Sequence, residues 1–315
     1  MPVMSEECLV GVRLMICMAK ADGVMHPDER YNLEDELAGL TLPEELSVEK
    51  LLDETNDPRS LALQVKSPEA RDYIYASVFS IAYCDRHLHE AEQRLLEMLR
   101  VLWNIKRDDE KDLIAALDIG KRAEQPMGPL HEACSDEKKR EEQFKALSFR
   151  YCVLAGLTGA IPVPLVPDLM VIPMQVKMVY DIASLFGMKT DKKTVQLMFE
   201  TLGVGTGVRI GISMLSKLVP GWGSVVGAAS SYATTFALAK VAQAFFKSEG
   251  RISMESLKPM FREQKEQGKA EYQKQRAALD EAQRAHSGKL QQLAFDLSSG
   301  KITPAEYEKR IDDMK

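Results

Sequence analysis

The stretch LAGLTGAIPVPLVPDLMVIPMQVKMVYDIASLFG, residues 154–187, decides what kind of protein this is. Nearly all of it is apolar, yet Pro162, Pro164, Pro167, Pro173 and Asp168 fall in its first two thirds. It can be the core of a helical domain, a membrane segment or the wall of an active site. Pro162, Pro164 and Pro167 favour an extended or kinked entry, and Asp168 then suits the N-cap of a helix beginning at Leu169. Gln175 and Lys177 follow on that helix without a histidine or a second nearby carboxylate to complete an acid/base pair. A helix cap is therefore expected at Asp168, and no hydrolytic site.

The next apolar run, LVPGWGSVVGAASSYATTFALA at 218–239, contains no charge. A bilayer crossing needs about 20 predominantly apolar residues, so length permits a span. Gly, Ser, Thr and Pro make the run only mildly apolar, and VPGWG breaks a helix near its start. Small residues at Gly203, Gly207 and Gly211, and at Gly223 and Gly227, let helices approach closely. Such approach occurs in membrane hairpins and in tight soluble bundles, and spacing does not separate the two.

Outside these runs the chain remains helical in pattern. Up to about residue 120, apolar positions such as Leu95, Leu96, Leu99 and Leu102 recur at helical spacing with charges between them. No strand run interrupts them, so the expected fold class is all-α. Composition divides the chain into a helical bundle at 1–120, a Pro/Gly-bearing linker at 121–142, an apolar helical domain at 143–250 and a polar segment at 251–315. The last part is polar almost all round up to its tail, which suits a projecting helix or coiled coil.

An internal repeat marks the first domain. Ala21-Asp22-Gly23-Val24-Met25-His26-Pro27-Asp28-Glu29 aligns with Cys84-Asp85-Arg86-His87-Leu88-His89-Glu90-Ala91-Glu92, with Asp, His and Glu at the same offsets. Two helix-loop-helix units are expected. In one reading Gly23 ends a helix, Pro27 opens the next and the glutamates serve as caps. In the other, Asp22 with Glu29, and Asp85 with Glu92, offer oxygen ligands to a divalent cation, calcium or magnesium, with His26 and His89 nearby. The spacing is not that of an EF-hand.

Three resemblances follow from these motifs. AKADGVMHPDE with YASVFSIAYCDRHLHEAEQRLLEML resembles the TerB-like tellurite-resistance fold and the N-terminal part of a membrane-anchored DnaJ co-chaperone. That resemblance implies an acidic all-helical bundle with divalent-metal binding at Asp22, Glu29, Asp85 and Glu92; Arg86 stands where the pattern has glycine. The proline cluster with Pro164, Asp168 and Gln175, followed by Lys217, Pro220, Gly221 and Gly223, resembles a domain of unknown function of YcjF-like inner-membrane and GTPase-associated proteins, and more distantly the EcsC family. It implies membrane association without established catalysis. Gly300, Ile302, Thr303, Glu306 and Tyr307 resemble the SHOCT motif, which implies an oligomerisation or docking hairpin.

Composition sets the remaining bounds. A net charge of -6 argues against nucleic acid as a partner. Five cysteines without framework spacing read as reduced thiols, and no cleavage signal follows the N-terminus, so a cytoplasmic chain is expected, peripheral to or inserted in the inner membrane of a bacterium. No P-loop, dinucleotide fingerprint after a strand, HExxH, GxSxG or zinc-type Cys/His set is present. The expectation is a non-enzymatic stress-response or envelope protein whose partners are membrane lipid, a membrane protein and, through the C-terminal segment, further copies of itself. The alternatives are a divalent-cation sensor and a soluble binder of lipid or another apolar ligand.

Overall fold

The computed structural model describes residues 4–23, 25, 27–38, 42–83, 88–106, 110, 114, 130–161, 166–204, 207–216, 218, 223–298, 301–303, 306–307 and 309–310. The fold is all-α, with no strand among the described residues. The chain divides into two compact units, residues 1–118 with 205–226, and residues 119–204 with 227–315. These units do not follow the contiguous division expected from composition, because a short piece of the apolar middle belongs to the first.

Unit 1 holds α1 (Glu6–Ala19), α2 (Pro27–Leu37), α3 (Val48–Asp53), α4 (Pro58–Ala62), α5 (Pro68–Ala82) and α6 (Glu90–Trp103). It also holds α10 (Gly207–Ser216), so numbered because α7, α8 and α9 precede it. Local chemistry sets the ends. Ser5 caps α1 through the Cys8 N–H at 3.2 Å, and Gly23, at φ 93°, turns the chain after it. Pro27 opens α2 as expected. Ser67 caps α5 with Pro68 in its first turn, and the Glu7 carboxylate of α1 accepts the Lys66 and Ser67 N–H groups at 2.6 and 2.9 Å. An acidic side chain thus fills the positive end of a neighbouring helix.

The core of unit 1 is built on α5, against which α1, α6 and α10 pack. Backbones come unusually close there. A Cβ added at Gly207 would lie 1.6 Å from the Ser80 carbonyl oxygen, and one at Gly211 would lie 2.8 Å from that of Ser77. The Cys8 thiol donates to the Leu215 carbonyl at 3.4 Å, and burial pushes its pKa up to about 12. It is a packing residue, not a reactive one.

Unit 2 holds α7 (Glu137–Gly159), α8 (Val166–Leu185), α9 (Lys192–Leu202), α11 (Gly223–Lys247, from Gly227 onward) and α12 (Met254–Ser298). α8 begins at Val166, so Asp168 lies inside the first turn and is not the N-cap of a helix starting at Leu169. Pro167 fits that turn because first-turn N–H groups have no intrahelical acceptor. α8 ends at Leu185, and Gly187, with φ 70°, turns the chain just beyond it, where the Met188 N–H donates to the Ala183 carbonyl at 2.9 Å. α7 and α11 meet glycine to glycine, since a Cβ on Gly159 would fall 2.4 Å from the Gly227 oxygen.

The 251–298 segment is not polar all round. Leu257, Phe261, Tyr272, Leu279, Leu290 and Leu293 form a sparse buried stripe along α12. One apolar residue per turn or less is diluted by the polar residues around it, which is why composition hid the stripe. The tail returns to the same core. Ile302 and Tyr307 are buried, and the Tyr307 hydroxyl lies 3.2 Å from Thr158 Oγ1. Thr303 and Glu306 make a reciprocal cap, at 2.8 and 3.3 Å.

Among the described residues, no helix is long and apolar enough to cross a membrane.

Candidate functional site

The predicted carboxylates of the first domain are only partly in view. His26 and Asp85 lie outside the described residues, as does the side chain of Glu29. Asp22 is exposed in the turn after α1. His89 is the N-cap of α6, and Glu92 accepts the His89 backbone N–H at 2.8 Å. Glu92 therefore acts as a cap residue. Among the described residues, no group of three His, Cys, Asp or Glu side chains is gathered to hold a metal ion.

A different charged group organises this unit. Arg13 of α1 forks onto Glu54 at 2.7 and 3.0 Å, and Asn56 donates to the same carboxylate at 3.0 Å. Lys20 Nζ donates to the Glu54 carbonyl at 3.0 Å. The Arg13 hydrogen bonds hold the Glu54 carboxyl below the usual carboxylate range.

Of the predicted membrane-domain motif, Pro164, Lys217, Pro220 and Gly221 lie outside the described residues. Gly223 opens α11, and Asp168 sits in the first turn of α8. Gln175 is fully buried, and its Nε2 donates to Thr235 Oγ1 of α11 at 2.9 Å. Thr235 Oγ1 in turn donates a hydrogen bond to the Ser231 carbonyl at 2.7 Å. Gln175 Oε1 is buried without a partner.

Two residues beyond Gln175 lies a network that motif searching misses. Lys177 Nζ is 2.9 Å from Asp181 Oδ2 and donates to the Tyr151 hydroxyl at 3.1 Å. Tyr151 donates to the same Asp181 oxygen at 2.7 Å. The other oxygen accepts the His131 N–H at 3.3 Å, and Ser184 Oγ donates to the His131 carbonyl. The Asp181 side chain is 1% exposed and that of Lys177 17%. Four elements of chemistry, an ammonium, a phenol, a carboxylate and a backbone amide, thus satisfy one another. They bind α7, α8 and the 130–135 segment together.

The signal for this group was the i,i+4 pair KMVYD inside an apolar helix. A lysine four residues before an aspartate is the weaker order on an isolated helix. Burial with Tyr151, rather than local helix chemistry, holds it.

Residues 4–115 match the model of a protein family of unknown function, DUF533. The DUF533 match covers the segment from α1 through α6, including the Arg13–Glu54 pair, and leaves α10 and the Lys177 network outside it. The chain is also similar to Magnetosome membrane protein 22 of Magnetospirillum gryphiswaldense (strain DSM 6361 / JCM 21280 / NBRC 15271 / MSR-1). It is 28% identical over 176 residues, covering 50% of this chain and 88% of that protein. No solved structure matches.

Proposed function

We propose that this is a non-enzymatic scaffold or sensor of the stress-response or envelope type, held at the surface of a membrane rather than across it. The observation that carries the reading is the fate of the apolar middle: α8 and α11 spend their apolar residues on a shared core with α7 and α12. That core leaves no apolar helix for the bilayer interior among the described residues, while a relative carries the name of a membrane protein. Association through surface groups fits both observations.

In this reading the first unit is a TerB-like bundle that senses or docks, and the second contacts membrane lipid or a membrane protein on the cytoplasmic face. The C-terminal part of α12, where Phe295 is 58% exposed, serves self-association. In the Lys177–Tyr151–Asp181 network the charged and polar groups pair with one another, which suits a structural tie better than a group poised for chemistry.

Fractionation of the expressed protein, with a carbonate wash and with or without EDTA, tests the proposal. Recovery with membranes and release by carbonate is expected. Release by EDTA alone would add a bridging cation. A wholly soluble protein with no vesicle binding, or one that resists carbonate, would overturn it.

A further inference from the structure

The two units differ in charge. Of the 41 Lys and Arg and the 47 Asp and Glu of the chain, unit 1 carries 15 and 25, whereas unit 2 carries 26 and 22. A negatively charged surface repels the first unit and attracts the second.

Among the described residues of unit 2, three large apolar side chains stand exposed, Phe149, Leu197 and Phe295. Their flanks set them apart. The eight residues before Leu197 hold Lys189, Lys192 and Lys193 with a single acid, Asp191, whereas those before Phe149 hold one lysine and two glutamates and those before Phe295 one lysine. The Asp191 carboxylate is turned toward its own helix, where it caps α9 by accepting the Thr194 N–H at 2.8 Å.

Packing fixes this helix and leaves one side of it to solvent. Val195, Met198, Phe199 and Leu202 of α9 are buried in the core of unit 2. Leu197 is 47% exposed and follows Lys193 by four residues, which sets the two on one helix face. Lys189, Lys192 and Lys193 are all exposed.

Lysines around an exposed leucine select the partner. A nucleic-acid backbone would pair with the ammonium groups and leave Leu197 without an apolar neighbour. At a bilayer the ammonium groups meet anionic head groups, the lysine stems lie along the apolar boundary, and the leucine enters it. We propose that the exposed face of α9, with the turn before it, docks unit 2 on a bilayer that contains anionic lipid. The inference rests on the reading of surface attachment above, and adds where the contact lies and which lipid it needs.

The test is co-flotation of the full chain with vesicles of phosphatidylcholine alone and of phosphatidylcholine mixed with phosphatidylglycerol. Binding to the mixed vesicles is expected, with little to the neutral ones, and with release in about 1 M salt, where the screening length falls to about 3 Å. Each lysine at the surface contributes about fivefold, so Lys189→Gln, Lys192→Gln and Lys193→Gln together weaken binding about a hundredfold. Leu197→Gln weakens it about fivefold, because half of the side chain is already buried. Lys274→Gln, Arg284→Gln and Lys289→Gln together remove the same charge about 30–50 Å along α12 from its start, and leave binding near that of the unaltered chain. Melting curves of all three variants stay in place, since the altered side chains are exposed.

Equal binding to both kinds of vesicle overturns the inference and leaves surface attachment standing. So does binding to neither by a protein that cells retain on membranes, which makes a membrane protein the partner. Undiminished binding in the α9 lysine variant, an equal loss in the α12 variant, or tighter binding to duplex DNA or polyglutamate than to the mixed vesicles also overturns it. Resistance to carbonate, by contrast, overturns the attachment reading itself.

Discussion

The two units handle small-residue apolar helices in opposite ways. In unit 1, α10 is ten residues long and meets α5 with little between the backbones, as Gly207 against the Ser80 carbonyl shows. In unit 2, α8 and α11 are 20 and 25 residues long, and buried polar ties join α8 to its neighbours, Gln175 to Thr235 and Lys177 to Asp181 and Tyr151. The first arrangement depends on the absence of side chains, the second on their hydrogen bonds. An uninterrupted apolar stretch of sequence therefore does not define one domain or one packing principle.

That contrast can be broken most forcefully in unit 2. Asp181→Ala strands the Lys177 ammonium and is expected to cost about 3–5 kcal/mol, measured by denaturant unfolding. Lys177→Met with Asp181→Leu is expected to recover most of that loss, because the pair's cost of desolvation disappears with it. A double variant as unstable as the single one would show that the network is more than a matched pair.

In unit 1 the corresponding test adds atoms instead of removing them. Gly207→Ala drives a methyl group into the Ser80 carbonyl and should destabilise by about 1–3 kcal/mol. Faster hydrogen exchange in α5 and α10, with α8 and α11 unaffected, would be its signature. Equal loosening of both sets of helices would contradict the assignment of α10 to unit 1.

A smaller effect of pH sharpens the comparison. Arg13 holds Glu54 below its unfolded value of about 4.3, so over that window the unfolded chain binds more protons and stability rises with pH. The contribution is present above the unfolded value and is lost as pH falls through the folded one. With side chains 23% and 25% exposed, solvent screening limits it, and Glu54→Gln should cost about 1 kcal/mol at neutral pH. The melting temperature of that variant should fall less steeply on acidification than that of the unaltered chain. The smallest change expected is at Gln175→Leu, which loses one hydrogen bond but removes a buried acceptor without a partner, for a net effect within about 1 kcal/mol in equilibrium unfolding.

Much of this fold was legible in the sequence, for stated physical reasons. Period 3.6 patterning and the absence of strand runs identify an all-α chain, and Gly23, Pro27, Gly187 and Thr303 occupy the helix ends their backbone preferences favour. α8 starts three residues before the expected Leu169, because Pro167, a breaker in a helix interior, is tolerated in a first turn. The buried stripe of α12 was hidden by its charges, and the placement of α10 by its chemical likeness to the helices on either side. The Lys177–Asp181 pair was visible as a spacing, whereas Tyr151, 26 residues upstream, could be joined to it only by tertiary structure.

Peripheral association requires that the apolar middle stay a helical core when the protein is at a membrane. Hydrogen exchange of the full chain, with and without vesicles, measures this. Protection in α8, α10 and α11 is expected to be the same in both conditions, with changes confined to surface segments. Redistributed protection in α8 and α11 on vesicle binding, as a hairpin leaving this core would give, would contradict it.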